Sequence, residues 1–360
     1  MGCSSSLSES PLGSPRAREA NRILRRNERL RARRDARVDR ERKKRIKMKK
    51  NAMVTRAQLR IEAGFHVDAR DEYGHTMLIK AARFDNLALA ELMVRKKATV
   101  DLRDTKGITA LMWAARWGNL SIVRFLVEQG NARVSTNDTD ESHGPTALMF
   151  AAKEGQIEVV RYLVQARASV NTRTIAEGTT AVLMAAGSNR VEVLDFLLGD
   201  KAQASLQPDH EGTTPLIAAS KRRYSKNLDA VGYLLDVVGV DVNETDHNKR
   251  SALMHACMRE NSEGLLERLL EAKACVHSRD RYGATALDLA VVQGKCEQPQ
   301  VRMLQQRQDE VRAVRYLKHG VLVLVLVLPA CARVSPLRTC QPLASHLHTC
   351  RNQNVVSLNQ

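Results

Sequence analysis

Between about residue 60 and residue 305 the apolar positions fall at helical spacing in short blocks. Leu120, Ile122, Val123, Phe125 and Leu126 make one such face, and Ile157, Val159, Val160, Tyr162 and Leu163 another. Before each block lies a shorter segment with its own signature. A Thr, once a Ser, stands at Thr76, Thr109, Thr146, Thr180, Thr214, Ser251 and Thr285, with gaps of 33, 37, 34, 34, 37 and 34 residues. An aliphatic side chain follows two places on: Leu78, Leu111, Leu148, Val182, Leu216, Leu253 and Leu287. A small pair follows at five and six places, from Ala81-Ala82, Ala114-Ala115, Ala151-Ala152 and Ala185-Ala186 to the looser Ala219-Ser220, Ala256-Cys257 and Ala290-Val291. The hydroxyl caps a first helix, and the small pair lets that helix lie close to its neighbours. So regular a period predicts an all-α solenoid in which each unit buries its apolar face only against adjacent units.

The units open on turns: Asp71-Glu-Tyr-Gly74, Asp104-Thr-Lys-Gly107, Glu141-Ser-His-Gly144, Gly178, Asp209-His-Glu-Gly212 and Asp280-Arg-Tyr-Gly283. Glycine permits positive φ there, and Asp closes the turn with its own side chain. They end in stretches such as Ala168-Ser-Val-Asn171 and Val240-Asp-Val-Asn243. These residues resemble the ankyrin-repeat family, whose pattern is Gly-x-Thr-Pro-Leu-His-x-Ala-Ala, a second helix, and Gly-Ala-x-Val-Asn. The resemblance implies about seven helix-turn-helix units joined by turn loops. Its Pro survives only as Pro215, and its His is replaced by Ile79, Met112, Met149, Leu183, Ile217, Met254 and Asp288. Turns without that His are expected to depend more on apolar packing and to be less rigid. The sixth turn has Lys249 where Gly belongs, which costs strain if φ stays positive there. Extra residues fall in 137–143 and between the helices of the fifth unit, in 221–226. The organisation read from the chain is a disordered leader (1–15), a basic helical arm (16–50), a capping half-repeat (51–70), the repeat array (71–305), a capping helix (306–320) and a low-complexity, disordered tail (321–360).

Charge changes the picture at the N-terminus. The chain carries a formal +17, and residues 1–50 alone hold 18 Lys and Arg against six Asp and Glu. Arg16 to Lys50 contains neither Gly nor Pro and no wide apolar stripe, so it reads as a solvated basic helix. Met1-Gly2-Cys3-Ser4-Ser5-Ser6 fits the myristoylation pattern at Gly2, and Cys3 resembles the palmitoylation site of dually acylated proteins. A single myristoyl chain binds membranes only marginally, with an association constant of about 10⁴ M⁻¹, so a second signal is needed. Cys3 and the polybasic arm both offer one. The expected setting is therefore the cytoplasmic face of a membrane with anionic lipid. The alternative is a nuclear or nucleic-acid-associated protein using Lys43-Lys44-Arg45-Ile46-Lys47, but no zinc-finger spacing or aromatic-interleaved patch supports base recognition.

Catalytic constellations are missing. The chain has no Gly-x-x-x-x-Gly-Lys-Ser/Thr, no Gly-x-Ser-x-Gly, no His-Glu-x-x-His and no kinase signature set. His75, His143, His210 and His247 lie near turn tips and read as solvated turn residues. Seven cysteines include no Cys-x-x-Cys pair and no signal peptide precedes them, which points to free thiols in a reducing compartment. Cys331, Cys340, His346, His348 and Cys350 match no common zinc module, so neither metal nor cofactor is expected. The apolar run Val321 to Leu328 is far shorter than the roughly 18–20 residues that span a bilayer. A regulatory repeat subunit of a larger enzyme complex is the other alternative.

The ankyrin resemblance implies a partner site on the turn tips and on the two residues after each small pair. Those candidates are Arg83, Phe84, Arg116, Trp117, Lys153, Lys221, Arg222 and Arg259. Their basic character points to an acidic or phosphorylated partner segment, with Phe84 and Trp117 as apolar anchors. Trp113 and Phe150, one residue before the small pair, are expected in the core. The protein is expected to be a monomeric, membrane-tethered adaptor.

Overall fold

The computed structural model describes residues 15–135, 144–200, 202–221, 228–259, 262–292, 302 and 304–308. Gly2, Cys3, Arg222, the 137–143 insertion, the segment after Gln308 and the tail lie outside them. Among the described residues the structure is helical, with no strand and one isolated bridge between Thr245 and Ser251.

A long helix, α1 (Pro15–Glu62), precedes paired short ones: α2 (Met77–Arg83) with α3 (Leu87–Arg95), α4 (Ala110–Trp117) with α5 (Leu120–Glu128), and α6 (Ala147–Glu154) with α7 (Ile157–Gln165). Then come α8 (Ala181–Gly187) with α9 (Val191–Leu198), α10 (Pro215–Lys221) with α11 (Asp229–Tyr233), α12 (Ala252–Cys257) with α13 (Glu263–Glu271), and α14 (Ala286–Val292). The first helices pack on one another as an inner row and the second helices as an outer row. An α-solenoid results. After the fifth unit's insertion, α11 runs into a π-helical turn, Leu234–Val238, which ends at Gly239 with φ 72°.

Each expected cap forms. The hydroxyls of Thr76, Thr109, Thr146, Thr180, Thr214, Ser251 and Thr285 accept the amide three residues on, at 3.2–3.4 Å. Each such cap contributes about 1 kcal/mol. Ala81, Ala82, Ala114, Ala115, Ala151, Ala152, Ala185 and Ala186 are fully buried where inner helices meet. The core runs between the rows as one continuous cluster.

The turns are closed by the Asp side chains that the sequence pattern marks. One carboxylate oxygen of Asp71, Asp104, Asp209, Asp246 and Asp280 accepts two amides of its own turn, at 2.7–3.0 Å. In the fourth unit the Thr174 hydroxyl takes this role by accepting Thr179 N–H at 3.0 Å. Lys249 keeps the positive φ of the glycine it replaces, at 57°, so the expected strain is present.

The arm and the capping segment are one helix. Nothing between Lys50 and Glu62 breaks it, and it stops only at Gly64, with φ 85°. Met53, Val54, Ala57 and Ile61 form a stripe that joins the core, while residues 34–49 are exposed. α1 packs on α3. Lys50 pins the junction, with Nζ bonded to the Asp85 carbonyl and 3.0 Å from its Oδ2, while Asn86 Nδ2 donates to the Lys50 carbonyl at 2.8 Å.

Candidate partner-binding surface

The exposed edge of the inner row is built by repeat register. Lys80, Trp113 and His255, each one residue before a small pair, reach the Asp of the preceding turn, and Phe84 and Trp117, two residues after it, lie at the surface. Trp113 is buried at 6% exposure, and its indole N–H donates to Asp104 Oδ2 at 2.9 Å. Phe150 is half-buried against the core.

On this frame the arginines stack. Arg83 lies over Phe84 (5.5 Å) and Trp113 (5.2 Å), and Arg116 over Trp113 (5.5 Å) and Phe150 (5.9 Å). Cation–π contacts at exposed sites contribute about 0.5–1 kcal/mol each and hold the guanidinium planes in place. Phe84 and Trp117 remain 51% and 54% exposed. His75 does not lie free as a turn histidine. It is half-buried, its ring stands edge-on to Trp113 at 6.0 Å, and its Nε2 is 3.5 Å from Asp104 Oδ2. Tyr73 follows it at 5.9 Å and is exposed at the tip. The first two units thus present exposed Tyr73, Phe84 and Trp117 together with the ring-stacked Arg83 and Arg116.

Beside this patch, burial pushes the Asp71 carboxyl up. Lys80, 2.9 Å away, and the His75 and Tyr73 amides outweigh it, and the group lies at about 2. It stays ionised at any physiological pH.

A continuous basic strip does not form. Arg116 Nε is 3.3 Å from Glu154 Oε1, and Lys221 Nζ is 2.8 Å from the Thr213 hydroxyl and 3.4 Å from Glu211. Lys153 is exposed, but Gly187 and Ser188 follow it in the next unit. Arg259 corrects the sequence expectation. It is only 5% exposed, and its Nη1 donates to the Ser220 carbonyl at 3.1 Å. This is the bond that Asn119 Nδ2 makes to the Ala82 carbonyl at 2.6 Å, again to the second residue of the preceding small pair. Arg259 therefore ties two units together and is not available to a partner.

The turn tips are also linked. Thr105 N–H donates to the Tyr73 carbonyl (3.3 Å), His210 to Glu177 (2.9 Å), His247 to Glu211 (2.9 Å) and Arg281 to Asn248 (2.8 Å). These bonds tie each of these tips to its neighbour. Nothing in the turn sequences announces these bonds, which are backbone to backbone, whereas the Asp pattern was visible.

Four overlapping segments, residues 48–138, 78–174, 148–246 and 222–314, match the family described as Ankyrin repeats (3 copies), and together they cover most of the chain. No curated protein matches.

Proposed function

The chain belongs to the ankyrin-repeat family, and from that premise we propose that it is a non-enzymatic adaptor, tethered at the cytoplasmic face of a membrane, that binds an acidic segment of a protein partner. Ankyrin repeats are protein-interaction modules. The observation that carries the reading is the cluster of exposed Phe84 and Trp117 beside the ring-stacked Arg83 and Arg116. Aromatic and Arg side chains dominate interface hot spots, and a guanidinium held flat offers its fork to a carboxylate or phosphate. Lys153 extends the positive edge.

Membrane tethering rests on the Gly2-Cys3 motif and on α1. Lys43, Lys44, Arg45, Lys47 and Lys49 are all exposed. Near an anionic leaflet each contributes on the order of 1 kcal/mol. Among the described residues no helix is long and apolar enough to cross a membrane, so attachment in this reading is by acyl chain and charge.

The test is capture of partners by the full chain, followed by binding of the purified partner to wild type and to Arg83→Glu/Trp117→Ala. Loss of binding in the variant, with attraction in wild type that weakens as salt rises, supports the reading. Equal binding moves the site to the turn tips.

A further inference from the structure

Among the described residues the inner row begins at α2. Each of α4, α6, α8, α10, α12 and α14 packs on the inner helix before it, whereas α1 joins the stack through the outer row, on α3. α1 is thus the outer half of a unit that precedes the first complete one, and among the described residues no inner helix covers the face of α2 that would meet it. Side chains record this. The residue after the capping hydroxyl is a buried alanine at Ala110, Ala147, Ala181, Ala252 and Ala286, but in α2 it is half-buried Met77.

A cavity of about 90 Å³ remains between α1, the loop after it and α2. Its floor is apolar, with buried Ala57 and Met93 beside Ile61 and Met77, and its mouth carries exposed Arg60 and Arg70. Arg60 stacks on Phe65 at 4.9 Å. Among the described residues neither Arg60 nor Arg70 has a carboxylate in salt-bridge reach. The one acid in the lining, Asp71, is already taken by Lys80 and by its own turn.

We propose that this cavity is a docking slot for an amphipathic helix of a partner protein, which supplies the inner helix that would pair with α1. The chemistry of the occupant follows from the walls. The cavity is smaller than the roughly 150 Å³ that holds benzene, so it takes one aliphatic side chain. Asp or Glu flanking that side chain meets Arg60 and Arg70 at the mouth. Helices pack at about 8–10 Å, so a docked helix continues the inner row. The slot shares His75 with the edge of the concave patch, but the residues that select its occupant, Arg60, Arg70 and Met77, lie outside that patch.

The experiment uses the full chain and labelled synthetic helices of about 14 residues, long enough to be helical when Ala-rich, with one Leu flanked by Glu on a single face. Fluorescence anisotropy reads binding. Arg60→Glu/Arg70→Glu and, separately, Met77→Trp, which fills the cavity, are each expected to weaken binding by about tenfold or more. Arg83→Glu on the concave patch is expected to leave it unchanged. Arg60 and Arg70 are exposed, so their variant keeps the question open should Met77→Trp lower the melting temperature. The proposal falls if no helix of this design binds, or if a Leu→Ser peptide binds equally well. It falls also if Lys43→Gln/Lys44→Gln/Lys47→Gln abolishes binding while Met77→Trp does not, because the arm alone would then be attracting acidic peptides.

Discussion

Trp113 and Asp104 are joined by a 2.9 Å hydrogen bond from the indole N–H to Oδ2, while Oδ1 of the same carboxylate accepts the amides of Lys106 and Ile108. One side chain thus closes a turn and fastens it to the inner helix that follows. His255 stands to Asp246 as Trp113 stands to Asp104, nine residues on, with its Nε2 2.9 Å from Oδ2.

Trp113→Ala is expected to destabilise the array by about 3–5 kcal/mol, since it opens a cavity and strands a buried carboxylate oxygen. Neighbouring units share stability, so several should unfold together. Trp117→Ala, at a surface ring, should leave the melting temperature nearly unchanged. Calorimetry of the two variants decides the matter, and equal losses would show that the exposed edge is misassigned.

Gly74 and Lys249 should respond in opposite senses. A Cβ at Gly74 would lie 2.9 Å from the Thr105 amide nitrogen, and φ there is 72°. Gly74→Ala should cost at least about 1 kcal/mol. Lys249→Gly relieves left-handed strain of about 1–2 kcal/mol and regains flexibility in the unfolded chain worth about half of that, for a net gain of about 0.5–1 kcal/mol. Urea denaturation of both variants reads the signs.

Burial pushes His255 below its ordinary 6.5; the Asp246 bond opposes this, and the charges of Lys221 and Arg250 reinforce it. Its folded value is therefore lower than its unfolded one. As pH falls through about 6.5 the unfolded chain takes up the proton first, so stability from this site is intact above that pH and lost below it. The melting temperature should fall between pH 7.5 and 5.5, and less steeply in His255→Gln.

Gly2→Ala should release the protein from membranes, because myristoylation requires that amine, and Cys3→Ser should weaken retention. Fractionation checks both. A Gly2→Ala protein that stays with membranes would exclude acylation at this motif as the anchor, and one that enters nuclei would give the basic arm an import role.

The repeating features were legible because each rests on contacts within a few residues. A hydroxyl caps the amide three places on, a small pair permits close helices, and an Asp closes its own turn. The positive φ at Lys249 could be foreseen for the same reason: the turn demands it whatever residue stands there. The apolar position of Trp113 could also be read, but the partner of its N–H could not be told from the pattern of hydrophobic residues alone.

Arg259 shows where local reading stops. Its place after the small pair marks it as a surface cation, yet the carbonyl it binds, Ser220, lies 39 residues back in the previous unit. The setting of Arg116 was hidden similarly, since Glu154, which lies 3.3 Å from it, belongs to the next repeat. The sequence by itself determined the period, the helices, the caps and the all-α solenoid, because these depend on neighbours in the chain. Tertiary structure alone decided which cations remain free and that His75 turns inward. It also decided that the arm is continuous with the first outer helix and that, among the described residues, no inner helix pairs with it. Those outcomes depend on which units come to lie side by side, and the repeat pattern, being nearly the same in every unit, does not encode what happens at its ends.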